Sequence, residues 1–271
     1  ERFTLAHASA SSGWAWADVI AADVGPLAPI ATKALGFSVP LWSVASELRP
    51  PAPTMMLGDA GITENLHFLS LLRRRALKSF VVFTHSSIAL ATNATWDPSR
   101  RAAKASDIDD TLPSYFGLDP DPLSSVGYDY HRNHVFDASS FAPFAAALQA
   151  SAARGNGTVV RVELTTVRND WWGIEAGRKV NATWFYLSRV YEWERALPAA
   201  VRTAVGLDGL PRDTQALPTT KRFPKFPHLP TGINLSAEQS NLLANLCGWV
   251  VQRNAALLHD ALESNGSYYR E

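Results

Sequence analysis

One stretch of the sequence, residues 54–83, constrains the fold more than any other. It begins with the apolar segment 54–57, passes through Asp59 and Gly61, continues with leucines at a helical spacing, and ends in the apolar segment 80–83. Both apolar segments are typical of strands, the second of them fully buried, and the leucines mark one face of a helix between them. Strand, turn, helix and strand in this order predict a βαβ unit with a parallel strand pair, and hence an α/β fold.

Asp59 is the residue of this stretch best suited to chemistry. It follows the first predicted strand and precedes Gly61 by two positions. A carboxylate between a strand end and a helix start is held in one geometry, and partial burial raises its pKa toward that of a useful general base. Aspartate is also common at helix N-caps and in turns, so a structural role stays open.

The rest of the chain shows further helix and strand patterns. Ser236 and Gln239 have the spacing of a capping box, in which each side chain accepts a hydrogen bond from the other residue's backbone N–H, so a helix begins there. Two β-branched segments flank residues 171–173, which predicts a hairpin. The predicted elements are a helix over 64–75 with Leu66, Leu69 and Leu72 on one face, a helix over 140–154 ended by Gly155, strands over 158–167 and 180–190, and a helix over 192–205.

The domain organisation is simple at this level. The chain contains no internal repeat, heptad pattern or compelling second domain boundary, so we expect residues 1–271 to form a single domain. Residues 93–130 are rich in Asp, Pro, Ser and Gly, which predicts a surface excursion or a lid.

Charge and hydropathy exclude several classes. Lys and Arg together number 25, as do Asp and Glu, and no charged tract stands out, so composition favours neither nucleic acid nor an anionic membrane as a partner. No apolar stretch reaches the roughly 18 residues that a membrane-spanning helix needs. The chain opens on Glu1 without Met or a signal-peptide pattern, and we expect a mature or internally cleaved product.

Glycosylation sites are the clearest indication of compartment. Five of the eleven asparagines begin an Asn-x-Ser/Thr sequon, where chance would supply about one or two. This excess predicts a glycoprotein that is secreted or resides in an endolysosomal or vacuolar lumen; accidental matches in a cytoplasmic protein are the alternative. The five sequons are at Asn93, Asn156, Asn181, Asn234 and Asn265.

Cys247 is the single cysteine, so it has no partner for a disulfide within this sequence. Pairing with another chain is one reading of a leftover thiol in a secreted protein. Its neighbours Leu246 and Gly248 lie on a predicted helix, and burial as a small hydrophobic residue is the more common outcome, which we expect here.

The stretch from Met55 to Ser86 resembles the aspartate block of the patatin-like lipid acyl hydrolases. The spacing Asp59-x-Gly61-x-x-x-Asn65-Leu66 is most similar to the branch of cytosolic phospholipase A and fungal lysophospholipase (phospholipase B). The resemblance covers about thirty residues well. Ala60 replaces the glycine or serine usual beside the aspartate, and His67 stands where the family often has proline, which leaves substrate preference more open than the identity of the base.

The resemblance implies a fold and a mechanism. We expect the C-terminal portion of a three-layer α/β/α catalytic domain that hydrolyses carboxylic esters of phospholipids or lysophospholipids in lipid degradation. Its reaction uses a Ser-Asp dyad without metal or other cofactor. Asp59 would be the general base that takes the proton of a serine directly, Gly61 would allow the tight turn, and Asn65 would hold it by side-chain hydrogen bonds.

The nucleophile of such a dyad is missing from the sequence. The family places its serine upstream in a Gly-x-Ser-x-Gly turn, and none of the six serines before Asp59 has that setting. We therefore expect a proteolytically processed heterodimer, in which the N-terminal chain of the same precursor carries the serine and the oxyanion loop. A non-catalytic secreted glycoprotein subunit or lipid-binding scaffold derived from this fold is the alternative.

Three other features offer weaker sites. His131 and His134 have the spacing of two metal ligands on a helix, but no acidic third ligand is evident, and we predict no metal site. The run Arg73-Arg74-Arg75 suits a phospholipid phosphate, although a solvated last helical turn, favourable to the helix dipole, is the preferred interpretation. Tryptophans such as Trp171 suit a peripheral lipid or membrane surface, although most of the nine are expected in the core.

Overall fold

The structure is a computed structural model that describes residues 37–40, 54–57, 64, 66–120, 130–210, 223, 225–229 and 235–264. The chain divides into two compact units, Glu1–His67 and Phe68–Glu271, each of which is described by itself. The single domain expected over residues 1–271 stays a prediction.

The first unit contains a two-stranded antiparallel ladder. Strand β1 (Phe37–Pro40) pairs with β2 (Thr54–Leu57), with Phe37 opposite Leu57. The predicted strand ending at Leu57 is confirmed.

The second unit is built on a mixed sheet of order β3-β5-β4. Strand β3 (Ser79–Thr84) runs parallel to β5 (Lys179–Tyr186), and β4 (Thr158–Thr165) is antiparallel to β5. Helices with this small sheet make the chain an α/β protein, as predicted. The predicted parallel pairing of the strand at 54–57 with the strand at 80–83 is wrong. The six residues of β3 find six consecutive partners on β5, whereas the four of β2 pair with β1.

Helices of this unit surround the sheet. Two short helices, Thr111–Ser114 and Tyr130–Asn133, and a 3₁₀ turn, η1 (Ala138–Ser140), precede the long helix Phe141–Arg154. The helices in chain order are α1 (Phe68–Leu72), α2 (Thr111–Ser114), α3 (Tyr130–Asn133), α4 (Phe141–Arg154), α5 (Tyr191–Ala196), α6 (Ala199–Val205), α7 (Ala237–Arg253) and α8 (Ala255–Glu263).

Helix ends follow local chemistry. Helix α4 ends at Gly155, whose φ of 76° is the left-handed conformation that glycine adopts readily, as predicted. The capping box is also confirmed: Ser236 Oγ accepts from Gln239 N at 3.2 Å, and Gln239 Oε1 accepts from Ser236 N at 2.8 Å. The predicted helix over 192–205 is instead two helices, because Pro198 lacks an N–H and holds Leu197 in an extended conformation.

The strands β4 and β5 form the predicted hairpin. Its tip spans residues 166–178 and is closed by reciprocal backbone hydrogen bonds of 2.9 Å between Asn169 and Ile174. Gly173 has a φ of 67°, which turns the chain at the predicted position.

Residues 93–120, the described part of the predicted surface excursion, lie only partly at the surface: residues 93–95 and 99–102 are exposed. Their polar composition predicts one, but large apolar side chains at intervals turn the segment inward. Trp96, Ile108, Leu112, Tyr115 and Phe116 are all fully buried. These five residues belong to the core, and the lid over 93–130 stays a prediction.

An aromatic cluster on one face of the sheet forms the main core. Phe68 of α1 contacts four rings at centroid distances of 5.3–5.8 Å. Trp184 of β5 lies 5.4 Å from Phe144 of α4. The ring partners of Phe68 are Phe80, Tyr115, Phe136 and Trp184.

The opposite face carries a second apolar cluster, which includes residues of β4, β5, α5, α6 and α7. It contains Val159, Phe185, Trp193, Leu246 and Val250. Phe83 belongs to this face and stacks on Phe185 at 4.9 Å, yet 57% of its surface is exposed. The prediction that residues 80–83 are fully buried is therefore wrong at Phe83, and Val81 is only partly buried.

We expect Phe68→Ala to lower the free energy of unfolding by about 3–5 kcal/mol, because it removes one ring from four contacts and leaves a cavity. Denaturant unfolding followed by circular dichroism measures this. Phe83→Ala is the matched control, since Phe83 has one ring contact and is half exposed, and it should cost about 1 kcal/mol. Equal losses for the two variants would contradict this description of the core.

Candidate functional site

The residues of the predicted dyad lie outside the described part of the chain. Asp59, Gly61 and Asn65 are not among the described residues. Strand β2 ends at Leu57, two positions before Asp59, and helix α1 begins at Phe68. The roles of the three residues stay predictions.

Ser86, at the end of the sequence block, is buried behind β3. Its Oγ accepts a hydrogen bond of 3.0 Å from Ile88 N and donates one of 3.4 Å to Ile108 O. Both contacts hold the chain where it leaves the sheet. The Ser86 hydroxyl therefore has a structural role.

Three of the five sequons are described. Asn93 is exposed in a turn, whereas Asn156 and Asn181 are half-buried. Asn181 lies on the central strand, with backbone partners on both sides. Asn93 thus offers the most accessible side chain of the three for a glycan, while Asn234 and Asn265 lie outside the described residues.

The structure brings polar groups together at the carboxyl ends of the parallel strands β3 and β5. In open α/β sheets this edge is where ligands usually bind. Here β3 leads into His85 and Ser86, β5 ends at Tyr186, and His228 approaches from the C-terminal part of the chain. We take this group of side chains as the candidate site.

His228 is the most unusual member of the site. It is 2% exposed, and its Nδ1 lies 2.9 Å from Ser86 O. Because a carbonyl only accepts, Nδ1 carries the proton and Nε2 is an acceptor. That Nε2 has no hydrogen-bond partner within the described ranges. Burial lowers the pKa of His228 to about 4, so the ring is neutral at physiological pH.

Two neighbours set the charge of the site. Burial lowers the pKa of His85, although a hydrogen bond to the Pro227 carbonyl opposes the shift. Burial also raises the pKa of Tyr186 well above its usual range, and the nearby Asp109 adds to this. The Tyr186 hydroxyl donates to Ile108 O at 3.2 Å. The imidazole of His85 and the phenol of Tyr186 are therefore neutral near pH 7.

Asp109 is a buried carboxyl group. Its Oδ1 accepts a hydrogen bond of 2.9 Å from Leu112 N. Burial dominates over this stabilisation and raises the pKa of Asp109 to about 7. Asp107 behaves differently, because Arg101 binds it at 2.6 and 2.8 Å and, with the Lys104 backbone N–H, lowers its pKa despite the opposing effect of burial.

An apolar cavity of about 160 Å³ opens beside these polar groups. A cavity of this size holds a benzene-sized group or a short piece of an acyl chain. His85, Phe83 and Cys247 reach the surface at its edge. The apolar lining includes Phe83, Phe185, Leu187, Val250 and Val251.

Cys247 is exposed, so the expectation of a buried thiol is wrong. It follows the buried Leu246 on α7 and lies on the cavity side of that helix. Partial burial of the sulfur nonetheless raises its pKa, which keeps the thiol protonated and unreactive near neutral pH.

The described residues show neither a metal-binding cluster nor a membrane-spanning helix. No group of three His, Cys, Asp or Glu side chains with a metal-binding arrangement occurs in the part of the chain that the structure describes. None of the described helices is long and apolar enough to cross a membrane.

The chain gives no match to profiles of known protein families, to curated proteins or to solved structures. The patatin-like resemblance therefore rests on the residues of the Asp59 block and stays a prediction.

The sequence patterns do not single out Asp109 or the role of His228. Asp109 stands in the acidic segment 107–110, which is typical of a solvated loop. The signals in favour of burial are Ile108 and Leu112, spaced by four. His228 has a similar signal, since it stands between Phe226 and Leu229, both buried.

We expect Asp109→Asn to alter the pH dependence of stability. An aspartate in the unfolded chain titrates near pH 4 and folded Asp109 near pH 7. Between these values only the native state holds the proton, so stability falls as pH rises, by about 1.4 kcal/mol per unit. The Asp109→Asn variant does not lose stability in this way. The difference between its free energy of unfolding and that of the native chain should therefore rise, in favour of the variant, by about 3 kcal/mol between about pH 5 and pH 8.

Urea unfolding at both pH values measures this difference. Asp170→Asn is the matched control, because Asp170 is exposed and forms an ion pair with the exposed Arg168. A difference between Asp109→Asn and the native chain that does not change with pH would contradict the assignment of a buried, protonated Asp109.

Proposed function

We propose that this chain is the C-terminal part of a serine–aspartate lipid acyl hydrolase of the phospholipase or lysophospholipase type. The observation that carries the proposal is the block from Asp59 to Ser86. Strand β2 ends two residues before Asp59, and the leucine face of the following helix is buried at Leu69 and Leu72. A strand before the aspartate and a helix with a buried leucine face after it support the proposal.

The proposed reaction is hydrolysis of a carboxylic ester. Asp59 takes the proton of the serine hydroxyl as the serine oxygen attacks the ester carbonyl, and returns it to the departing alcohol. A water molecule, deprotonated by Asp59, then attacks the acyl-serine and releases the fatty acid. Gly61 allows the turn that presents the carboxylate, and the Asn65 side chain holds that turn.

The serine must come from elsewhere, since no Gly-x-Ser-x-Gly occurs in the 271 residues. We propose that the N-terminal chain of the same precursor supplies it, together with backbone N–H groups that stabilise the oxyanion. In this proposal the two chains complete a three-layer α/β/α domain. Apolar side chains on both faces of the β3-β5-β4 sheet support such an arrangement.

The apolar cavity at the ends of β3 and β5 supports a lipid substrate. Its lining of aromatic and branched side chains suits a hydrocarbon chain, and its neutral rim at His85 does not repel one. We propose that it holds part of an acyl chain. The exposed sequon at Asn93 supports the further proposal of a glycoprotein that is secreted or resides in an endolysosomal or vacuolar lumen.

We expect Asp59→Asn to lower ester hydrolysis by at least about 100-fold, because it removes the base while keeping the side-chain shape. The precursor is expressed so that it is processed, and the assembly is purified under native conditions. A fluorophosphonate should label a serine on a chain associated with the native protein, and label the variant far more slowly. Asp170→Asn, an exposed aspartate, is the control and should keep full activity.

Intact-mass measurement of the same material tests the two-chain arrangement. A second chain that carries the label is expected. If only this chain is found and nothing is labelled, the hydrolase proposal fails and the non-catalytic glycoprotein is favoured.

We expect Val251→Trp to fill the cavity and weaken binding of a fluorescent fatty acid by at least about tenfold, since the ring takes the space of the hydrocarbon. Leu262→Trp on α8 is the control, because Leu262 is 61% exposed and does not line the cavity. Fluorescence titration measures both. Undiminished binding by Val251→Trp would place the acyl chain elsewhere.

A further inference from the structure

The tip of the β4–β5 hairpin, residues 166–178, displays an unusual tryptophan. Trp171 is 64% exposed, the most exposed of the large apolar side chains described. Its neighbour Trp172 turns inward, and its Nε1 donates to Asn133 Oδ1 at 3.2 Å. One tryptophan anchors the tip and the other projects from it.

The tip is held firmly in this conformation. Asn169 Oδ1 accepts from Trp172 N at 3.0 Å, and Asn169 Nδ2 donates to the carbonyls of Arg132 and His134 at 2.7 and 2.8 Å. Asn169 itself is buried. Projection of Trp171 is therefore a property of the fold, since it is fixed by partly buried hydrogen bonds on the inner side of the turn.

One arginine contacts the projecting ring, and others lie along the same hairpin tip. The Arg132 guanidinium lies 4.5 Å from the Trp171 ring centroid, a cation–π contact. A Cβ at Gly173 would lie 3.4 Å from Arg73 Nε, so the Arg73 side chain runs beside the turn. Arg178 donates to Leu72 O at 2.6 Å and to Arg74 O at 3.2 Å, which fastens the arginine run to the hairpin.

These side chains have a strong charge imbalance. The tip contains two carboxylates, and both are already paired: Asp170 with Arg168 at 2.8 Å and Glu175 with Arg75 at 2.5 Å. Six arginines against two carboxylates leave a net charge of +4 on this surface, in a chain that is neutral overall. We call it the hairpin-tip surface; its members are Arg73, Arg74, Arg75, Arg132, Arg168, Asp170, Trp171, Glu175 and Arg178.

We propose that the hairpin-tip surface binds the chain to an anionic phospholipid bilayer. Trp171 would lie among the headgroups, where an amphipathic ring is most favourable, and Arg73 and Arg74 would bind lipid phosphates. Each arginine near an anionic leaflet adds attraction that is lost at high salt. The proposal goes beyond the hydrolase activity and does not depend on it.

The chemistry of the tip favours a bilayer over a nucleic acid. A base would stack on an open aromatic face, but Arg132 already covers one face of Trp171. A single projecting ring with arginines along the same tip suits shallow insertion at an interface.

Vesicle co-sedimentation of the full chain tests the proposal. We expect binding to equal mixtures of phosphatidylserine and phosphatidylcholine, little binding to phosphatidylcholine alone, and a loss of binding as salt rises. Arg73→Ala with Arg74→Ala should weaken the partition coefficient by about 30-fold. Trp171→Ala should weaken it at least about tenfold, because the ring's interfacial contact is lost.

Trp249→Ala is the matched control, since Trp249 of α7 also has an arginine, Arg253, 5.1 Å from its ring centroid. It should bind vesicles like the native chain, and circular dichroism should show that all variants are folded. Asp59→Asn should also bind normally, which separates this proposal from the hydrolase proposal.

Three results would overturn the proposal: no preference for anionic vesicles, equal binding by the Trp171→Ala and native chains, or capture by a soluble polyanion such as heparin without vesicle binding.

Discussion

The contact of Phe68 with Trp184 and the rings around it is the interaction on which the second unit depends. Phe68 begins a helix of five residues, too short to be stable alone, and it gains its stability from packing. Trp184 lies on the central strand, so it fixes which face of the sheet receives that helix. Segments far apart in sequence meet at these two rings, including the polar segment that holds Tyr115.

Burial of the aromatic cluster explains the chemistry at the strand ends. The segment that supplies Tyr115 also takes Asp109 out of water, which raises the pKa of that carboxyl group. The same segment carries the Ile108 carbonyl, which accepts hydrogen bonds from the hydroxyls of Tyr186 and Ser86. The apolar cavity and the neutral polar groups beside it therefore follow from the packing of the aromatic cluster.

The hydrolase and membrane proposals rest on different parts of the chain. The first depends on Asp59, which the sequence identifies by its spacing within a recognisable block. The second depends on Trp171 and arginines from three separate segments. Overall composition shows no cationic character, because charges that cancel along the chain separate in space only after the hairpin has formed. Either proposal can fail while the other stands.

The sequence by itself determined the elements whose signals are local: the helix ended by Gly155, the capping box at Ser236 and the β4–β5 hairpin. The conformation of glycine, side-chain caps and the alternation of residue types along a strand act within a few residues, so the sequence alone reveals them. Strand partners, the inward course of residues 93–120, the exposure of Cys247 and the grouping of His228 with Ser86 were decided by the tertiary structure. Each depends on contacts between distant segments, where the total apolar burial outweighs local polarity.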